Sequence, residues 1–266
     1  MDNIISTNIL FRNNESGIWL FNNNHKNIVK NNTIYDNSFA GIFLLTSNEN
    51  DITQNIVYDN VMGIVLSSSN YNVLSNNSAR GIHLDTNSNF NEIHQNTLEL
   101  NLGNGLYIEN SENNIIFENI FYKNNEYGIY LDINTNNNKI EWNDIIGNNP
   151  SLPGYSQAYD EGSDNSFSNN FWDEWVSPDT NADGIVDDPY AIDGVAINSD
   201  PNPIALPSES QSSTIPLSSS STPATIITTT TQTSSTEERG PGFSGIFVLI
   251  SVLTFVFLMR VKQKIK

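Results

Sequence analysis

Gly17-Ile18-Trp19-Leu20 decides the fold, because the chain keeps repeating it. The phrase Gly-Ile-Xaa-Leu returns from Gly41, Gly63 and Gly81, and looser copies follow at Gly105-Leu106-Tyr107-Ile108 and Gly128-Ile129-Tyr130-Leu131. Successive glycines lie 24, 22, 18, 24 and 23 residues apart. A second phrase keeps phase with the first: an apolar residue, Asn three positions on, and another apolar residue two after that. Its asparagines are Asn8, Asn32, Asn55, Asn77, Asn96, Asn119, Asn143 and Asn170. A third column, Asn13, Asn37, Asn60, Asn101, Asn124 and Asn148, sits five residues after its partner each time. A period this short means one supersecondary unit per repeat, unable to bury its apolar face alone.

The apolar residues alternate, as in Ile18 and Leu20, Ile42 and Leu44, and Ile129 and Leu131, which is the two-residue period of a strand. The runs are short and cut by Asn, Gly and Ser, which argues against helices. A coil of this length holding two or three short strands is the rung of a right-handed parallel β-helix. Stacked rungs bring equivalent residues to within roughly 4.8 Å of each other. Asparagine then has two uses at the corners: it tolerates left-handed backbone angles, and its amide can bond the Asn above and below in a ladder. Glycine is expected to supply the remaining positive-φ corner.

Composition bounds the function. The chain has 266 residues, 37% hydrophobic and 15% charged, with formal net charge -19. A narrow β-helix core suits this modest apolar content. The acidity argues against nucleic acid as a partner, since that needs Lys and Arg to replace phosphate counterions. With no cysteine there is neither a disulfide framework nor a thiolate metal site. Three His and three Met argue against a dedicated copper centre.

In chain order, coils are expected over residues 1–172, with a longer excursion at Asn149–Tyr159 where Pro150, Pro153 and Gly154 act as loop punctuation. Met1 opens directly into a coil with no leader pattern, which reads as residues missing upstream. Residues 173–206 form a C-terminal cap. Residues 207–239 are Ser, Thr and Pro with almost no large apolar side chain, so they read as a disordered, glycosylated stalk. Residues 240–266 hold Phe243 to Met259, 17 residues without a charge, followed by Arg260, Lys262, Lys264 and Lys266. That pattern reads as one transmembrane helix with its basic end in the cytoplasm and the β-helix outside. Asn14, Asn31 and Asn76 lie in Asn-Xaa-Ser/Thr sequons.

The repeats resemble those of the NosD-like group of extracytoplasmic β-helices, of carbohydrate-binding or sugar-hydrolase type. The segment Ala158 to Gly162, then Asn169-Asn170-Phe171-Trp172-Asp173-Glu174-Trp175, is similar to the close of those proteins, as is the acidic stretch Asp179 to Asp193. The resemblance implies an extracellular, glycan-related role. The group's namesake assists copper assembly, but this chain has no Cys and only three His and three Met to support such a role. Pro241-Gly242-Phe243 after the Thr-rich stalk is similar to the PGF-type sorting signal of archaeal surface proteins, implying an archaeal source and processing by an archaeosortase.

Three constellations carry candidate chemistry. Asp179, Asn181, Asp183 and Asp187 stand at positions 1, 3, 5 and 9 of a calcium-type loop, with Gly184 at 6 and the Ile185 carbonyl at 7. Tyr190 replaces the usual Glu at 12, so Asp187, Asp188 or Asp193 would complete the shell of a structural calcium ion; the plainer alternative is a solvated acidic turn. One outward residue per coil, Trp19, Phe43, Val65, His83, Tyr107 and Tyr130, forms a stripe able to hold the apolar faces of successive sugars. Burial of the stripe under a partner, or ring-on-ring stacking alone, is the plainer alternative. Two residues further on lie Phe21, Leu45, Ser67, Asp85, Glu109 and Asp132. The last three bring carboxylates onto adjacent rungs, where they would raise one another's pKa and could serve hydrolysis or elimination of a polysaccharide. A solvated acidic patch is again the plainer reading. The sequence therefore points to a surface-tethered β-helix that binds polysaccharide or acts as an adhesin, with a polysaccharide hydrolase or lyase and a structural spacer as alternatives.

Overall fold

Alternating inward Ile, Leu and Val on three short strands per turn wind the chain from Ile4 to Trp172 into a parallel β-helix; this computed structural model describes residues 3–207. The first sheet runs from Ile4–Ser6 to Ser166–Ser168 and the second from Ile9–Phe11 to Phe171–Trp172, each with eight strands. The third runs from Ile18–Phe21 to Ala158–Asp160 with seven. Every pairing in these sheets joins a strand to its counterpart one coil away, in parallel and in unbroken register. An antiparallel pair, Tyr190–Ala191 with Ser199–Asp200, closes the C-terminal end. Among the described residues no helix is long and apolar enough to cross a membrane. The stalk, the apolar run and the sorting signal lie outside the described residues.

Sequence spacing alone sets the core. Ile42, Ile52, Val57, Leu84, Leu98 and Phe121 are completely buried, one or two per strand, and stack on their equivalents in neighbouring coils. Each fully buried aliphatic side chain contributes about 1.5–3 kcal/mol of transfer free energy.

The corners depart from the sequence expectation in two ways. The ladder asparagines do not take left-handed angles; the residue before each one does, as at Asn31 (φ 54°), Gln54 (56°) and Glu118 (53°). The Asn side chain is then free to turn inward and bond along the axis. Nor do the glycines that head the Gly-Ile-Xaa-Leu repeats supply a positive φ, except Gly81 at 80°. They are small for a different reason: a Cβ on Gly105 would lie 2.7 Å from the Gly128 carbonyl oxygen and 2.7 Å from Asn124 Nδ2. The chain passes too close to its neighbouring coil for a side chain there.

The ladders hold the corners. In the middle column the Oδ1 of Asn55 accepts the backbone N–H and side-chain Nδ2 of Asn32 at 3.1 and 3.0 Å, and Asn55 repeats the pattern on Asn77 at 3.0 and 3.0 Å. The column Asn13, Asn37, Asn60 stops at the short 18-residue coil, then resumes at Asn101, Asn124 and Asn148. A ladder absent from the sequence reading runs through Asn27, Asn50, Asn72, Asn91, Asn114, Asn138 and Asn165. Serines do the same at the corner after the third sheet, where Ser47, Ser69 and Ser88 each donate N–H to the next hydroxyl, ending at Ser111. The sequon residues Asn14, Asn31 and Asn76 are exposed.

Candidate functional site

The outward face of the third sheet collects the residues that the sequence singles out. Register aligns Trp19, Phe43, Val65, His83, Tyr107, Tyr130 and Tyr159 in one column. The expectation that the whole column faces solvent is corrected. Trp19 is 47% exposed, but Phe43, Val65 and His83 are buried. Phe39, Leu45 and Met62 pack onto Phe43 and Val65; Phe39 comes from the turn before its strand, and Leu45 and Met62 from the ends of strands Ala40–Leu45 and Met62–Ser67, outside the Gly-Ile-Xaa-Leu phrase. The face thus divides into an exposed aromatic end, Trp19 with Phe21 at 5.3 Å between ring centres, and a half-buried tyrosine end.

At the tyrosine end, Tyr107 meets Tyr130 at 5.3 Å and Tyr130 stacks on Tyr159 at 5.0 Å and 15°. Tyr127 joins from the preceding turn, 5.3 Å from Tyr159. The next outward column brings Asp85, Glu109 and Asp132 onto successive coils, as the spacing implied, since Glu109 N–H bonds the Leu84 carbonyl at 2.8 Å and Asp132 N–H that of Ile108 at 3.0 Å. Glu161, whose N–H bonds the Leu131 carbonyl at 2.9 Å, extends the row to four. Tyr159 and Glu161 are quoted in the sequence only as part of the closing segment and not as site residues, because their coil lacks the Gly-Ile header. The Tyr-Xaa-carboxylate spacing shared by Tyr107 and Glu109, Tyr130 and Asp132, and Tyr159 and Glu161 is the signal that could have found them.

Hydrogen bonds join rings to carboxylates at two places. Tyr107 donates its hydroxyl to Asp132 Oδ2 at 2.7 Å, and the Ile133 N–H bonds the other oxygen at 2.7 Å. Tyr159 donates to Glu161 at 3.2 Å. Thr86 and Ser67 both donate to Asp85. Burial pushes the Tyr107 phenol up, and the hydrogen bond to Asp132 adds to the shift. Tyr130 rises likewise through burial and then the Glu161 and Asp132 charges. These phenols stay neutral donors at physiological pH. His83 sits edge-on to Tyr107 at 4.8 Å, with Nε2 4.0 Å from Glu109. Burial lowers its pKa to about 4, against the smaller opposing pull of Asp85, so the imidazole is neutral.

That depression has a measurable consequence. A histidine with a folded pKa of about 4 and an ordinary value of 6.5 keeps its share of stability above pH 6.5 and loses it as pH falls toward 4. His83→Phe should therefore flatten the acid limb of the stability profile by up to about 3 kcal/mol. Thermal melting of both proteins between pH 7 and 4 checks this; parallel profiles would refute it.

The acidic loop lies elsewhere, in the cap. Asp179 accepts N–H bonds from Asp183 and Gly184 at 3.2 and 2.9 Å, Asn181 from Asp183 at 3.1 Å, and Asp183 from Ile185 at 2.9 Å. Gly184 takes φ 88°, as a tight loop requires. Asp187 is engaged by Thr180 and Asp188 by Ser177. The loop is tied to the last described segment where Ala205 N–H bonds the Gly184 carbonyl at 2.9 Å.

Comparison with known proteins agrees with this architecture. Residues 1–98 match the family model described as periplasmic copper-binding protein (NosD), and residues 72–172 match the right handed beta helix region. Two crystal structures of variants of the periplasmic alginate epimerase AlgG superpose with a TM-score of 0.52. They share 21% and 22% identity with this chain over 61% and 62% of its length. The alginate lyase from Paenibacillus sp. str. FPU-7 superposes with a TM-score of 0.47 at 11% identity, over 64% of this chain and 76% of its own. The likeness is one of fold, and the chain spans 44% of the epimerase. No curated protein matches in sequence.

Proposed function

We propose that this β-helix binds polysaccharide along the outward face of its third sheet. The carrying observation is the aligned column of rings with the carboxylate row beside it, repeated at coil spacing. Flat rings suit the apolar faces of pyranoses, and fixed carboxylates accept sugar hydroxyls. The periplasmic alginate epimerase, which shares the fold, supports a polysaccharide role. The Ser/Thr/Pro-rich segment and the apolar run would tether the β-helix to a cell surface as an adhesin or wall-binding protein. Recovery of the chain with membranes, abolished by truncation before Gly240, tests the tether.

Tyr130→Ala combined with Tyr159→Ala should weaken retention in a glycan-containing native gel by about tenfold, since each stacked ring contributes of the order of 1 kcal/mol beyond its area. Retention unchanged by the double substitution would refute the face as the site. Hydrolysis or elimination through Asp85, Glu109 and Asp132 is the second reading, favoured by their placement on successive coils. Calcium at Asp179, Asn181, Asp183, the Ile185 carbonyl and Asp187, with Asp188 nearby, is proposed as a structural ion of the cap. It should raise the melting temperature of the parent chain but not of Asp179→Ala; an equal rise in both would exclude the loop.

A further inference from the structure

Charge narrows the ligand, given the glycan reading above. From residue 51 to residue 206 the chain carries 23 Asp and Glu against 3 Lys and Arg. Those three cations are all engaged away from the carboxylate row. Arg80 is paired with Asp59 at 2.6 Å, Lys139 with Glu141 at 2.8 Å on the first sheet, and Lys123 lies over the Tyr122 ring at 4.7 Å. The sheet face therefore presents Asp85, Glu109, Asp132 and Glu161 in line, beside the half-buried rings of Tyr107, Tyr130 and Tyr159.

A polyuronate laid along this row would place its own carboxylates, one per sugar, against protein carboxylates one per coil. Repeated like-charge contacts at this distance exclude such a ligand. An ammonium group meets the opposite situation. It finds a carboxylate oxygen on each coil and the electron-rich face of a tyrosine ring alongside, and both attract it. The tyrosine hydroxyls reinforce the preference: Tyr107 and Tyr159 spend their protons on Asp132 and Glu161, which fixes the carboxylates and leaves the phenol oxygens as acceptors.

We infer that the third-sheet face takes a glycan whose sugars carry free amines and rejects polyuronates. The repeat of roughly 4.8 Å between coils is close to the advance of one pyranose along an extended chain, so the amines on one side of that chain, on alternate sugars, can meet carboxylates of the row on alternate coils.

Titration calorimetry of the whole chain against glucosamine oligomers, their N-acetylated counterparts and uronate oligomers tests this. Glucosamine oligomers should bind, with affinity about tenfold higher than the acetylated form, falling as salt rises. Uronate oligomers should not bind. Glu161→Gln with Asp85→Asn should lower glucosamine binding about tenfold, and Glu112→Gln with Glu118→Gln, outside the row, should leave it unchanged. Equal losses in both pairs would mean bulk charge attraction and overturn the assignment. So would acetylated or uronate oligomers binding as tightly as free amines, which would leave the glycan reading standing. Binding of no oligomer would overturn both.

Discussion

Asn96→Leu is expected to cost about 5 kcal/mol, enough to leave the β-helix barely folded, because it leaves several buried polar groups unpaired at once. Asn96 is fully buried at the centre of the middle ladder. Its Oδ1 accepts from Asn77 N–H and Nδ2, both at 2.9 Å. Its Nδ2 donates to the Leu74 carbonyl at 2.8 Å, the His94 carbonyl at 3.0 Å and Asn119 Oδ1 at 3.0 Å. Leucine fills much of the space but meets none of these groups, and each stranded donor or acceptor pays its own desolvation. Asn13, exposed at the start of its column, only donates to Asn37 from its backbone and side chain. Asn13→Leu should cost less than about 1 kcal/mol, since water can replace the partner. Urea unfolding of the two variants decides it. Similar, small losses would mean that the ladders decorate the corners and that the apolar stack alone holds the coil.

The second large effect falls at the C-terminal end. A stack of coils must stop somewhere, and the last rung leaves its ladder donors without a following asparagine. Asp200 takes that place. It is completely buried and accepts from Asn170 N–H and Nδ2 at 2.9 and 3.0 Å, Asn169 N–H at 3.1 Å, Asn202 N–H at 3.1 Å and Trp172 Nε1 at 3.2 Å. Trp172 in turn stacks on Tyr190 at 4.0 Å, so the carboxylate ties the last coil to the cap. Asp200→Ala should cost about 4 kcal/mol through the stranded donors and the loosened Trp172. Because each coil touches only its neighbours, the damage should stay local. Hydrogen exchange should quicken at Asn169, Asn170 and Trp172 while Leu84 and Ile93 keep their protection. Uniformly faster exchange would show instead that the β-helix opens as one unit.

Much of this is legible in the sequence. The glycine spacing and the Ile and Leu alternation specify strands, coil length and the inward set, because a two-residue period leaves no other face for those side chains. The middle Asn column was legible for the same reason. The ladder through Asn27, Asn50 and Asn72 was missed because asparagines are so dense here that a third phase does not stand out from the background. Left-handed corners were assigned to the wrong residue: Asn31 and Asn32 both suit such angles by type, and only the hydrogen bonding of Asn32 along the axis distinguishes them. The site was half legible. Asp85, Glu109 and Asp132 follow from register alone. The burial of Phe43 and Val65 depends on Phe39, in the turn before its strand, and on Met62, at a strand's start, and both lie outside the repeated Gly-Ile-Xaa-Leu phrase. Glu161 escaped because the loop at residues 150–157 replaces the usual header of its coil.

Size-exclusion chromatography of labelled polysaccharides mixed with the whole chain tests polysaccharide binding most directly. Earlier elution of the polymer at unchanged length, reversed by Tyr130→Ala with Tyr159→Ala, is the result expected of a binding face. Later elution of shortened polymer would contradict it and make Asp85, Glu109 and Asp132 catalytic groups, and an unchanged profile with every polymer would leave the β-helix a spacer.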